Sequence, residues 1–202
     1  MDKIKFSKVL FFLNALVPCA LMVWDFSQNR LGSNPTEFLT RTTGLLTLIF
    51  LLLTLTVTPL RKLSETPWLI RLRRMVGLYA FFYGTLHLLT YLGFDRAWRL
   101  TTVPGDVWQR PFIALGMTSF LCLVPLAITS TNAMIKRLGK RWAKLHKLTY
   151  VAAIAGAWHF YWLVKADTSL PIKFAFVLAL LLGYRIYLAN NAPSKLPTLK
   201  RS

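Results

Sequence analysis

The chain has 202 residues, 55% of them hydrophobic and only 16% charged, with a mean hydropathy of +0.47. This composition excludes an ordinary soluble domain and places the chain in the membrane class. A formal net charge of +18 would suggest nucleic acid in a soluble protein. Here the basic residues lie between apolar runs, so membrane topology accounts for them and no nucleic-acid partner is expected.

Six apolar stretches follow in chain order, each near the roughly 20 residues that a spanning helix needs. The first covers 9–26, with Pro18 as a kink. It is long enough to span and lacks a small-residue cleavage site after it, so it reads as a span rather than a cleavable signal peptide. The turn residues of RLGSNP lead to the second, 42–60, rich in Leu and Thr and ending near Pro59. A basic loop precedes the third, 75–94, which contains His87. A polar loop with Asp95, Arg99 and Asp106 leads to the fourth, 111–128, opened by Pro111 at a favourable first-turn position. The fifth, 142–164, carries His146 and His159, and the sixth covers 170–188. Cys19 and Cys122 lie inside apolar runs and read as small buried hydrophobes, not as a disulfide or zinc site. No internal repeat stands out.

The basic residues set the orientation. With the N-terminus inside, the inner segments hold 18 of the 25 Lys and Arg, and the outer segments the remaining 7. Five of the seven acids fall outside: Asp25, Glu37, Asp95, Asp106 and Asp167. The expectation is an all-α integral membrane protein, a six-helix transmembrane bundle with cytoplasmic N- and C-termini. Residues 1–8 form the inner N-terminus, 9–188 the bundle and 189–202 an inner tail.

Histidine is costly inside a bilayer and needs a partner. His87 lies 8 residues before Asp95, and His159 lies 6 before Lys165. These are offsets of roughly 12 and 9 Å from the outer charges, so the two rings sit at similar depth on helices that run the same way. Two imidazoles at one depth can fill both axial positions of a haem iron, which suits electron transfer rather than substrate chemistry. The competing reading for either histidine alone is a bond to a backbone carbonyl or a proton path. His146 lies roughly 20 Å lower and about 140° out of phase on a straight helix, near the inner surface. A second haem there would need an unusual second ligand, because Arg73 and Arg74 occupy the matching depth of the third helix. Those arginines read as topology charges, or as a phosphate contact or docking point for a cytoplasmic electron donor or a flavin.

The segments LIRLRRMVGLYAFFYGTLHLLTY, ITSTNAMIKRLGKRWAKLHKLTYVAAIAGAWHFYW and RLGSNP together resemble the MsrQ (YedZ) family. This family lies within the ferric-reductase-like transmembrane domain superfamily, and the likeness covers nearly the whole chain. The resemblance implies haem b held by His87 and His159, His146 as an additional histidine near the haem, and Arg73 and Arg74 at electron entry. It further implies FMN, electrons from the quinone pool or a cytoplasmic flavin reductase, and a bacterial inner membrane location. The implied acceptor is MsrP, a periplasmic molybdopterin subunit that repairs methionine sulfoxide in oxidised proteins, so this chain is an electron-transfer subunit rather than the catalytic one. Ferric reductases usually carry two histidine pairs and a fused flavin domain, whereas this chain has three histidines and no phosphate-cradling Gly-rich loop. The alternatives are a stand-alone ferric reductase and a redox-inactive transporter or structural bundle. A transporter would be expected to carry broken helices or midplane charges, which the spans lack beyond the histidines.

Overall fold

A computed structural model describes residues 3–191; residues 192–202 of the expected inner tail lie outside the described residues. Among the described residues all regular structure is helical. Nine α-helices follow one another: α1 (Lys3–Ser27), α2 (Pro35–Leu63), α3 (Ile70–Thr90), α4 (Val103–Gln109), α5 (Pro111–Ile128), α6 (Asn132–Leu138), α7 (Lys140–Leu145), α8 (Leu148–Leu163) and α9 (Ser169–Asn190).

Local chemistry sets the ends. Gly32, at φ +80°, turns the chain into α2. The Asn34 side chain then accepts from the Glu37 N–H at 3.2 Å, and Pro35 stands in the first turn. Glu37 in the first turn and Arg61 and Lys62 in the last complement the helix dipole. This cap starts α2 seven residues before the apolar run that begins at 42, because Glu37 and Arg41 are polar but helix-compatible. The fourth span keeps its expected bounds. The third continues past Thr90 as a π-helical turn, Tyr91–Asp95.

The fifth expected span is not one helix. It divides at His146 and Lys147 into α7 and α8, and the basic connector before it folds as α6 and α7 around Gly139. Gly139 has φ +49°, a conformation that disfavours any residue with a Cβ. Five segments are long and apolar enough to cross a membrane: 5–27, 35–63, 67–95, 111–128 and 169–190. With 16 residues, α8 is about 24 Å long, short of a hydrocarbon core of about 30 Å. The protein is an all-α integral membrane protein.

The core lies between two hairpins, α2 with α3 and α5 with α8, with α9 against α2 and α8. Phe50, Tyr79 and Tyr83 form a stack, with centroids 5.4 Å (Phe50–Tyr79) and 5.3 Å (Phe50–Tyr83) apart. The α1 helix attaches through two tyrosines. Tyr79 donates to the Phe12 carbonyl at 2.8 Å and the fully buried Tyr83 to the Ala15 carbonyl at 2.6 Å, beside the turn that Pro18 interrupts. Elsewhere α1 and α9 expose large apolar side chains such as Leu13, Val23, Phe176 and Leu180, as lipid-facing helices do. Cys19 and Cys122 are both free thiols, half-buried.

At the end expected to face outward, the segment between α3 and α5 is latched by one buried carboxylate. Asp106 accepts from Arg96 Nη2 at 2.8 Å and from the Tyr91 hydroxyl at 2.5 Å. Arg110, the residue after α4, lines the larger cavity of the bundle together with Tyr91.

Candidate functional site

His87 projects from α3 and His159 from α8, and the two rings meet between the hairpins. Their centroids are 6.1 Å apart and their planes cross at 75°. Each ring is fixed by a backbone carbonyl: His87 Nδ1 lies 2.9 Å from the Thr40 oxygen and His159 Nδ1 lies 2.6 Å from the Phe112 oxygen. A carbonyl can only accept, so both Nδ1 atoms carry the proton and both Nε2 atoms keep a free lone pair. That is the tautomer a metal ligand needs, with the orienting bond that metal-binding histidines usually have.

Two glycines let the rings lie flat against the opposite helices. A Cβ on Gly44 would sit 2.9 Å from His87 Cε1, and one on Gly116 would sit 3.0 Å from His159 Nδ1. The first distance is too short for a real contact and the second is tight, so alanine at Gly44 displaces the His87 ring and alanine at Gly116 crowds the His159 ring.

The rings line a cavity of about 900 Å³, apolar through most of its depth, with Glu37, Arg41, Asp95, Arg110 and Asp167 toward its mouth. Whether the pair fits a haem follows from bond lengths. A five-membered ring with sides of about 1.33 Å has a radius near 1.1 Å. With metal–imidazole bonds of about 2 Å, opposed axial rings have centroids about 6.3 Å apart. The observed 6.1 Å matches. Among the described residues no three His, Cys, Asp or Glu side chains gather as a metal site. A haem needs only two, because the porphyrin supplies four nitrogens.

His146 stands apart from this pair. It ends α7 beneath a second, inner cavity of about 340 Å³ that Arg73, Arg74 and Lys147 also line. Its ring stacks on Trp142, centroids 3.8 Å apart, and its Nε2 lies 3.1 Å from Thr129 Oγ1. Thr129 gives its own hydroxyl hydrogen to the Pro125 carbonyl at 2.6 Å, so His146 Nε2–H is the donor. Burial, and then the Arg73 charge, hold the His146 pKa below its ordinary value. Arg74 reaches Asn132 Oδ1 at 2.5 Å. The inner end also has a residue the sequence reading passed over. Arg185 of α9 donates to the Leu55 carbonyl at 2.7 Å and to the Tyr150 hydroxyl at 3.1 Å.

The contacts also uncover a repeat. Each histidine lies 47 residues after the carbonyl that holds it. Thr40, Gly44, Gly84 and His87 recur as Phe112, Gly116, Gly156 and His159, every pair 72 positions apart (40 to 112, 87 to 159). The packing repeats as well: Thr47 Cγ2 lies 3.4 Å from a Cβ built on Gly84, and its counterpart Ser119 Oγ lies 3.2 Å from one on Gly156. The two hairpins are parallel copies that face each other across the cavity. The expectation of no repeat is therefore corrected. Helix-forming apolar residues interchange freely, so only the few positions touching the rings keep the signal, and two glycine pairs at one offset were the clue.

A family model described as ferric reductase like transmembrane component matches residues 42–157, from within α2 to within α8. Several curated relatives are named protein-methionine-sulfoxide reductase heme-binding subunit MsrQ. The chain is 52% identical to that of Azospira oryzae over 181 residues, covering 89% of this chain and 78% of the relative. It is 49% identical to that of Herminiimonas arsenicoxydans over 191 residues, covering 93% and 88%. It is 43% identical to that of Xanthomonas euvesicatoria over 202 residues, covering 97% and 92%. No solved structure matches the chain. The facing imidazoles, the glycines that admit them and these relatives agree, and the chain belongs to the MsrQ family of ferric reductase like transmembrane components.

Proposed function

We propose that this protein is a haem b electron-transfer subunit of a methionine sulfoxide reductase system, with His87 and His159 as the axial ligands. The observation that supports this most strongly is the facing imidazole pair, 6.1 Å apart with both Nδ1 atoms tied to carbonyls. A haem held by His87 and His159 would supply one-electron chemistry. The chain's own residues do the rest. The Thr40 and Phe112 carbonyls keep both Nε2 lone pairs free, and most of the cavity lining around the rings is apolar.

On this reading Arg73 and Arg74 mark the electron entry, where the inner cavity holds four basic or imidazole side chains and no carboxylate. An anionic donor fits there, and FMN, drawing on the quinone pool or a cytoplasmic flavin reductase, is the donor we favour. His146 borders this entry and is not an axial ligand. The acceptor is MsrP on the periplasmic side. The chain lies in the bacterial inner membrane with six spans, α8 the shortest, both termini cytoplasmic, and residues 9–188 as the bundle between an inner N-terminus and an inner tail.

The family description names ferric reductase, so ferric iron is the second acceptor to weigh. The test is to reduce the purified protein anaerobically and follow the haem band after adding acceptor. Rapid reoxidation by MsrP carrying its molybdopterin, with slow reoxidation by ferric chelates, supports the proposal. The reverse order assigns the protein to ferric reduction, and a preparation that holds no haem removes both readings.

A further inference from the structure

The register that pairs His87 with His159 also pairs Arg74 with His146, each thirteen positions lower (74 to 87, 146 to 159). Both of these residues line the inner cavity. Leu51 and its counterpart Leu123 line both cavities, so a single leucine layer separates them. Ile70 and its counterpart Trp142 line the inner cavity too. The inner cavity is therefore the second level of one repeated construction, with one position from each hairpin facing the other.

At the inner level three features depart from the outer one. The first hairpin offers a guanidinium, which stays protonated and has no lone pair to give a metal. The second hairpin offers an imidazole whose Nε2 is spent on Thr129, at 3.1 Å. Trp142, where the first hairpin has Ile70, lies against that imidazole at 3.8 Å and fills the space beside it. The two cavities differ accordingly, about 900 Å³ against about 340 Å³.

We propose that Arg74 and Trp142 close a second haem position, and that these two residues limit the bundle to one haem. This inference rests on the reading of His87 and His159 as axial ligands. Arg74→His restores the missing ligand, and Trp142→Ile copies the first hairpin and clears the ring face. His146 is then the opposing ligand from α7.

The experiment uses the full chain, expressed with haem precursor and purified in detergent. Haem per chain is measured by the pyridine haemochromogen, and redox titration counts the midpoints. The expectation is one haem and one midpoint for the wild type, and a twofold rise with a second midpoint for Arg74→His/Trp142→Ile. Adding His146→Ala to that variant returns it to one. If Trp142→Ile prevents accumulation, Arg74→His/Trp142→Leu, which also clears the ring face, is assayed by the same ratio. Two haems in the wild type overturn the inference, as does a ratio that stays at one in a variant with an unaltered outer haem spectrum and melting curve. A wild type that binds no haem overturns the outer site itself, so the two failures are distinct.

Discussion

His87 and His159 come from different hairpins, yet each is held at Nδ1 by a carbonyl 47 residues earlier, and their rings face each other at 6.1 Å. Each ring rests where a glycine leaves room for it. Gly44→Ala adds a methyl group where none fits and Gly116→Ala one that crowds the His159 ring, and overpacking of this kind costs about 1–3 kcal/mol. Both variants should accumulate, melt earlier and retain several-fold less haem through detergent purification. Haem per chain and thermal melting check this, and Gly183→Ala, where a Cβ meets nothing within 4 Å, is the control that should lower neither.

The attachment of α1 rests on a small number of polar bonds. Tyr83→Phe keeps the buried ring in the stack with Phe50 and removes only its bond to the Ala15 carbonyl. A loss of about 1 kcal/mol is expected. Tyr83→Ala removes the ring as well and should cost about 3–5 kcal/mol. Chemical denaturation in detergent should rank the three proteins in that order.

The outer latch has one carboxylate serving two donors. Asp106→Asn leaves the Arg96 guanidinium without its counter-ion and weakens the bond from Tyr91. A destabilisation of about 1–3 kcal/mol should fall on the segment between α3 and α5. Limited proteolysis from the outer side should cut that segment faster, while the haem spectrum stays unchanged.

Acid should act through His146. Its pKa in the folded protein is below its unfolded value, first through burial and then through the Arg73 charge. The unfolded state therefore binds the proton more readily. The His146 contribution is fully present above the ordinary imidazole pKa of about 6.5 and is lost as pH falls from there through the folded value. His146→Gln, which cannot titrate, should flatten this part of the stability–pH curve and leave haem content as in the wild type.

Chemistry fixed by composition and charge was legible in the sequence. Apolar runs and Lys/Arg placement gave the membrane class and most helices, and equal depth brought His87 and His159 together as the structure does. Polar but helix-compatible residues hid the start of α2, since Glu37 and Arg41 lower hydropathy without breaking a helix. The division at His146 was hidden for the opposite reason, because KRWAKLHKLTY contains no Gly or Pro to mark it. The phase estimate for His146 assumed one straight helix across this break. Because the helix breaks there, that estimate does not describe where the His146 ring lies, against Trp142 and Thr129. The glycines beside the rings and the half-buried guanidinium of Arg185 depend on contacts 43 and 130 residues apart in sequence, which local patterns do not carry.

The central claim is that His87 and His159 are the two axial ligands of one haem. Electron paramagnetic resonance of the oxidised protein, read with haem content in His87→Ala and His159→Ala, tests it most directly. The account predicts a low-spin ferric signal of the highly anisotropic type, because the imidazole planes cross at 75°. That signal should disappear in both variants and persist in His146→Ala. A high-spin signal in the wild type, or a low-spin signal that survives either outer substitution and vanishes with His146, would contradict it.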